Sequence, residues 1–267
     1  MATYLQHFNL KFAPLTKGAP LCFESENVRE LQTRFRWSLE SPGICLLTGD
    51  PGVGKTAALH KLCSSLSTHE YQVIYHSETD FGRTDLYRQL ALDFGLEPCY
   101  RRAALWRSIK THIQILVQTQ HRLPIWIIDE AQNLPSEFFR DFPSFLNFAF
   151  DSQPLMTVWF IGHSILDRTL KCNAYDSLRS RMQLFVHFEP LTRAETFKEM
   201  LHSAFSAAGS TQTLISESGI DLIRLASGGK YREAGKIIQG ALQMACQQNI
   251  HHLPDEVIKQ SIEVLQR

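Results

Sequence analysis

The chain has 267 residues, 44% of them hydrophobic, which is enough to bury a core without disulfides or metals as staples. Lys+Arg and Asp+Glu both number 27, so no global charge draws the protein onto nucleic acid or a membrane, and any such contact must be local. Met1 to Leu21 holds Lys11 and Lys17 with no long apolar run, and no later stretch approaches about 18 consecutive apolar residues, so a secretory signal and a membrane span are not expected.

Five short apolar segments rich in β-branched or aromatic residues are predicted as strands: Ile44 to Leu47, Gln72 to Tyr75, Ile125 to Ile128, Thr157 to Ile161 and Leu184 to Phe188. Between them run stretches with helical spacing, such as Leu86, Leu90, Phe94 and then Leu105, Ile109, Ile113, Leu116. That βα alternation predicts a buried parallel sheet. After Glu189-Pro190 the strand signals stop, and helices are predicted over about 192–208, 216–226, 230–248 and 254–266. The expected architecture is therefore an α/β core over 1–190 and a small all-helical domain over 191–267. The cysteines, six in all, show no CxxC pair and read as reduced core residues of a cytosolic protein.

Gly49-Asp50-Pro51-Gly52-Val53-Gly54-Lys55-Thr56 matches GxxxxGK[ST] without a mismatch, directly after a predicted strand and at the start of a predicted helix. The glycines let backbone N–H groups turn inward around phosphates, and the helix N-terminus, reaching to Ala57, adds its positive dipole. Lys55 supplies charge to the outer phosphates, and the Thr56 hydroxyl reaches Mg2+. Asp129 and Glu130 close the third strand, on the edge where open α/β sheets hold their ligands. Asp129 is the candidate for the Mg2+ shell, and Glu130 for orienting or deprotonating the attacking water. ATP with Mg2+, hydrolysed at this site, is the expected chemistry.

With these residues placed, the chain resembles an AAA+ ATPase, and within that group it is similar to the ExeA-like and TniB/TnsC/MuB-like branch. Tyr4 to Leu10 followed by Ala13-Pro14 looks like that branch's opening segment, with Leu15 in place of its usual Phe. Phe160-Ile161-Gly162-His163 resembles the strand end that carries sensor 1, with a histidine where an amide or hydroxyl is usual. Leu178-Arg179-Ser180-Arg181-Met182 resembles the box whose arginine reaches a neighbouring subunit's ATP. The resemblance favours Arg181 over Arg179 there and implies a ring or helical filament of identical subunits. Leu191 to Glu195 resembles the start of a lid domain. Gly228-Gly229-Lys230-Tyr231-Arg232 resembles the head of a lid helix whose arginine, Arg232, is sensor 2.

From Phe81 to Leu123 there are seven Arg/Lys against three acids, a local basic excess in a neutral chain. Related DNA-remodelling ATPases carry DNA-contacting elements after the second strand, so Arg83, Arg101, Arg102, Arg107 and Lys110 are candidates for sequence-independent contacts with double-stranded DNA. No base-reading module is present in the pattern. The resemblance implies a bacterial cytosolic transposition regulator that assembles on target DNA with ATP and recruits or activates a transposase. A cytosolic ExeA-like ATPase acting on a protein client is the alternative. Phe12, Phe23 and Tyr231 are candidates for adenine contacts, with core packing as the competing use of each phenylalanine.

Overall fold

The computed structural model describes residues 3–20, 23–77, 82, 84–148, 154–210 and 212–265. Its five strands are β1 (Ile44–Gly49), β2 (Tyr71–His76), β3 (Leu123–Ile128), β4 (Thr157–Gly162) and β5 (Met182–Phe188). They form one parallel sheet in the order β2-β3-β4-β1-β5. The register sets Ile44 opposite Val158, Ile125 opposite Thr157 and Tyr71 opposite Leu123. Residues of β1 and β4 are all buried and β3 is buried from Pro124 onward, as continuous apolar runs covered on both faces require. β5, at one edge, alternates strictly between buried and exposed residues.

By compactness the chain divides into two units, each with its own core. Glu30–Gly49 and Leu59–His187 make up one, and Met1–Arg29, Asp50–Ala58 and Phe188–Arg267 the other. In the sheet-bearing unit, α4 (Asp85–Asp93) and α5 (Arg102–Gln118) bury the predicted stripes through Leu86, Leu90, Leu105, Ile109, Ile113 and Leu116. The centre of this core is aromatic. Phe138 and Phe142 of α6 (Ser136–Phe145) stack with ring centroids 5.1 Å apart, and Phe142 meets Phe160 of β4 edge-on at 5.2 Å. Two short helices, α7 (Ser164–Leu170) and α8 (Asp176–Arg179), lie between β4 and β5 in the chain.

The other unit contains α1 (Tyr4–His7), closed by a capping box between Thr3 and Gln6, and α9 (Ala194–Ala207), α10 (Glu217–Ser227), α11 (Tyr231–Gln247) and α12 (Asp255–Leu265). The last four match the predicted helices to within about two residues, the usual scatter of helix ends. Their facing stripes, including Phe197, Ile223, Ile238, Leu242 and Ile258, form the second core, joined by Phe8 and Leu10. Phe12 and Phe23 pack against this same core. One feature differs from the all-helical expectation: Ile215 and Leu253 form a single parallel bridge, an extended contact too short to leave a period-2 signal.

The segment Glu26–Glu40 forms α2 and Lys55–Ser64 forms α3. Among the described residues no helix is long and apolar enough to cross a membrane. Cys45 is buried and its thiol is pushed up to about 12 by burial, in keeping with an inert core thiol, whereas Cys172 is exposed.

Candidate functional site

The glycine-rich loop leaves β1 through Gly49 and turns at Gly52 and Gly54, whose φ angles of 82° and 92° are strained for any residue with a Cβ. A Cβ at Gly52 would lie 2.8 Å from Cβ of Arg232, and one at Gly54 would lie 3.6 Å from the Tyr231 ring. The head of α11 is thus seated directly on the loop. Arg232 donates its N–H to Gly52 O at 3.2 Å, and Lys230 Nζ lies 2.9 Å from Asp50 Oδ2. Lys55 is the first residue of α3; its chain is buried and Nζ donates to Asp50 O at 2.9 Å. Pro51, Thr56 and Ala57 are exposed, and Val53 is buried as the loop's apolar anchor. Positive-φ glycines, a helix N-terminus and a lysine at its mouth make a cradle suited to a phosphate chain.

The end of β3 builds a second cluster. Asp129 is only 5% exposed. Its Oδ2 accepts the Tyr75 hydroxyl at 3.0 Å, its Oδ1 accepts the N–H of Glu130 at 2.9 Å, and its own N–H bonds to His76 O at 2.7 Å. Burial, and then the negative charge and hydrogen bond of Asp129, push the Tyr75 phenol up to about 12, so it remains a donor at neutral pH. Glu130 adopts the left-handed conformation (φ 51°, ψ 35°), a costly choice for a residue with a long side chain. Its carboxylate is half-exposed; Oε2 accepts Gln132 Nε2 at 2.6 Å and lies 3.3 Å from His163 Nε2. A buried carboxylate held by neutral donors fits a share in a magnesium shell, and the more open one beside it fits proton transfer to or from water.

Arg179 and Arg181, two residues apart, have different settings. Arg179 Nη1 donates to Asp167 Oδ1 at 2.8 Å, and its guanidinium lies 4.1 Å from the centroid of the Phe185 ring. Arg181 donates to Ser177 O and Oγ at 2.9 Å each. Arg232, in the first turn of α11, is exposed.

The basic candidates likewise separate. Arg83 lies outside the described residues. Arg101 is the N-cap residue of α5, Arg107 is exposed within that helix, and Tyr100, just before it, is 89% exposed. Arg102 forms an ion pair with Asp141 and covers the Trp106 ring at 4.9 Å. Lys110 donates to Ser144 O at 3.2 Å and Asn147 O at 2.8 Å and sits 5.2 Å from the centre of Phe148. Burial lowers the Lys110 pKa. Trp106, Arg107, Lys110 and Phe148 line a hollow of about 430 Å³ beside α5.

Tyr75, Gln132 and Lys230 touch these clusters without standing out in the linear sequence. Tyr75 belongs to a strand and faces Ile127 across the sheet, so only the strand order brings it to Asp129. Gln132 follows the acidic pair by two residues, a spacing that means nothing until the left-handed turn at Glu130 is known.

A parallel sheet whose first strand runs into a phosphate-type loop, and whose third ends in an acidic pair, defines a P-loop nucleotide hydrolase. Residues 38–170 match the AAA domain family, and the chain carries the catalytic domain of an AAA+ ATPase, a membership that implies ATP and Mg2+. No protein of curated function matches the chain. Among solved structures it is similar to the ORC2 protein of Aeropyrum pernix (TM-score 0.70, 11% identity, 97% of this chain and 71% of that one). It is also similar to the ORC1 protein of the same organism, solved in complex with DNA (0.67, 17%, 92% and 66%). A third is the RuvB Holliday junction branch migration motor of Thermotoga maritima (0.60, 20%, 92% and 72%). At these identities the likeness carries the fold alone.

Proposed function

We propose that this ATPase is a transposition regulator: ATP-bound subunits assemble on double-stranded DNA without regard to sequence, present it to a transposase, and disassemble after hydrolysis. In this reading Gly49 to Ala57 cradle the phosphates and Lys55 neutralises them. Thr56 and Asp129 hold Mg2+, which when bound offsets phosphate charge. Glu130 takes the proton of the attacking water, and His163 stands beside it as sensor 1. Arg181 enters the neighbouring subunit's site, and Arg232 links nucleotide occupancy to a lid over 191–267. Residues 1–190 serve as the nucleotide-binding core.

The observation that carries the DNA half of this reading is the exposure of Arg101, the N-cap residue of α5, of Arg107 within that helix and of Tyr100 before it, in a chain of zero net charge. One structural relative is described in complex with DNA and another as a Holliday junction branch migration motor, which supports the same direction. The transposase rests on the resemblance to the TniB/TnsC/MuB branch. The test is ATP turnover and particle assembly with a slowly hydrolysed ATP analogue, at low salt, with and without duplex DNA. Assemblies and a turnover rate that need DNA are expected. Turnover and assembly indifferent to DNA would overturn the regulator reading in favour of a protein client, and ATP binding unaffected by Lys55→Ala would overturn the nucleotide site itself.

A further inference from the structure

Gln132 lies in the 3-10 turn Ala131–Asn133, and its amide is used at both ends. Nε2 donates to Glu130 Oε2 at 2.6 Å, and Oε1 accepts the backbone N–H of His163 at 3.1 Å. His163 in turn brings its Nε2 to 3.3 Å from the same Glu130 oxygen. Two nitrogens from separate strand ends, Gln132 Nε2 after β3 and His163 Nε2 after β4, therefore meet on one carboxylate oxygen.

Two backbone features make this arrangement possible. The left-handed residue at Glu130 reverses the chain sharply enough for the side chain two positions later to return alongside the carboxylate. At the end of β4, Gly162 leaves the room that the amide fills: a Cβ there would lie 2.6 Å from Gln132 Oε1. A glutamate on a half-exposed edge has several rotatable bonds and many open rotamers, and proton transfer needs the acceptor within hydrogen-bond reach of the water. A short neutral donor supplies orientation without the charge that would quench a base.

We propose that Gln132 is a positioning residue for hydrolysis: its amide ties the Glu130 carboxylate to the end of β4, so that the aim of the base follows the placement of His163. The inference rests on reading Glu130 as the base. Gln132 acts through Glu130 and takes no proton itself.

The full chain carrying Gln132→Met or Gln132→Glu tests this, assayed with duplex DNA beside Glu130→Gln. Both substitutions keep the length of the side chain. Met loses both bonds, whereas Glu retains an acceptor for the His163 N–H and loses the donor to Glu130. Misplacement of a reacting group by about 1 Å costs on the order of 100-fold. The expected result for both variants is a kcat lower by about 10- to 100-fold, with the KM for ATP within about twofold of the parent and an unchanged melting temperature. Parent-like kcat in Gln132→Glu would overturn the proposal, since the acceptor alone then suffices. A fall in kcat matched by a fall in melting temperature would overturn it as well, by making the residue a packing element. If Glu130→Gln abolishes turnover while both Gln132 variants hydrolyse normally, the base stands and the positioning role falls. If Glu130→Gln itself turns over normally, both fall together.

Discussion

The phenolic hydroxyl of Tyr75, at the penultimate position of β2, donates to Oδ2 of Asp129 at 3.0 Å across the neighbouring strand. It fixes a buried carboxylate whose other oxygen is already occupied by the N–H of Glu130. Hydrogen bonds to charged groups are worth about 1.5–3 kcal/mol, and since Tyr75 is itself about half exposed the lower end applies. Tyr75→Phe should therefore lower stability by about 1.5 kcal/mol. With the rotamer of Asp129 released, it should also raise the Mg2+ concentration needed for half-maximal turnover severalfold. A magnesium titration of the ATPase reads this directly, and an unshifted midpoint would leave Tyr75 no part in ordering the site.

Arg179 and Arg181 should respond to substitution in opposite ways. Arg179 is committed within its own unit, to Asp167 and to the face of Phe185, so Arg179→Ala should cost about 1–2 kcal/mol of stability. Arg181 donates to Ser177 O and Oγ in exposed hydrogen bonds close by in the chain, so Arg181→Ala should fold with a stability within about 0.5 kcal/mol of the parent. If it acts in a neighbour's site, its loss should slow turnover by about 10³-fold or more. Mixing Arg181→Ala with Glu130→Gln subunits then restores activity, because each supplies what the other lacks. Mixtures as inactive as their components would remove Arg181 from the trans role.

Asp167 gives a pH signature. Burial alone would raise its carboxyl, but hydrogen bonds from Lys171 and Arg179, together with their charges, prevail and hold the pKa below the ordinary 3.8. A depressed folded-state pKa stabilises the protein at every pH above the unfolded value, and that contribution disappears as the pH falls through the folded value. Asp167→Asn should accordingly be less stable than the parent at pH 7 by about 1 kcal/mol, since the acid is only partly buried. The gap should close as the pH drops below 3.8. Denaturant curves at pH 7 and in strong acid measure it; a gap that persists in acid would locate the loss in packing.

What was legible in the sequence is what depends on neighbours along the chain. Ile44 to Leu47 announces a strand because four apolar residues in a row suit only a buried element, and the structure merely extends it to Gly49. The stripe Leu105, Ile109, Ile113, Leu116 fixes the buried face of α5 for the same reason. Gln132 and Tyr75 were not legible, since one depends on a left-handed φ at Glu130 and the other on which strand lies beside β3. The basic segment shows the same limit from the other side. Composition treats Arg102 and Lys110 as equals of Arg107, but α6 and the residues after it supply Asp141, Ser144 O and Asn147 O to the first two.

That difference sets the last prediction. A cation already paired with a carboxylate, or seated on carbonyl oxygens with its pKa lowered by burial, gains little from a phosphate because it must first give up its partners. An exposed guanidinium gives up only water and releases a counterion from DNA. Charge reversal of Arg101 and Arg107 together should weaken duplex binding strongly and lower the slope of log K against log salt by about 2, at roughly 0.9 per phosphate contact. Lys110→Ala should leave that slope within about half a unit and instead destabilise the α5 surface by about 1 kcal/mol. Binding measured at several salt concentrations separates the two. If Lys110→Ala flattened the slope and the double reversal did not, the DNA contact would run through Lys110, and Arg101 and Arg107 would be left for the protein partner.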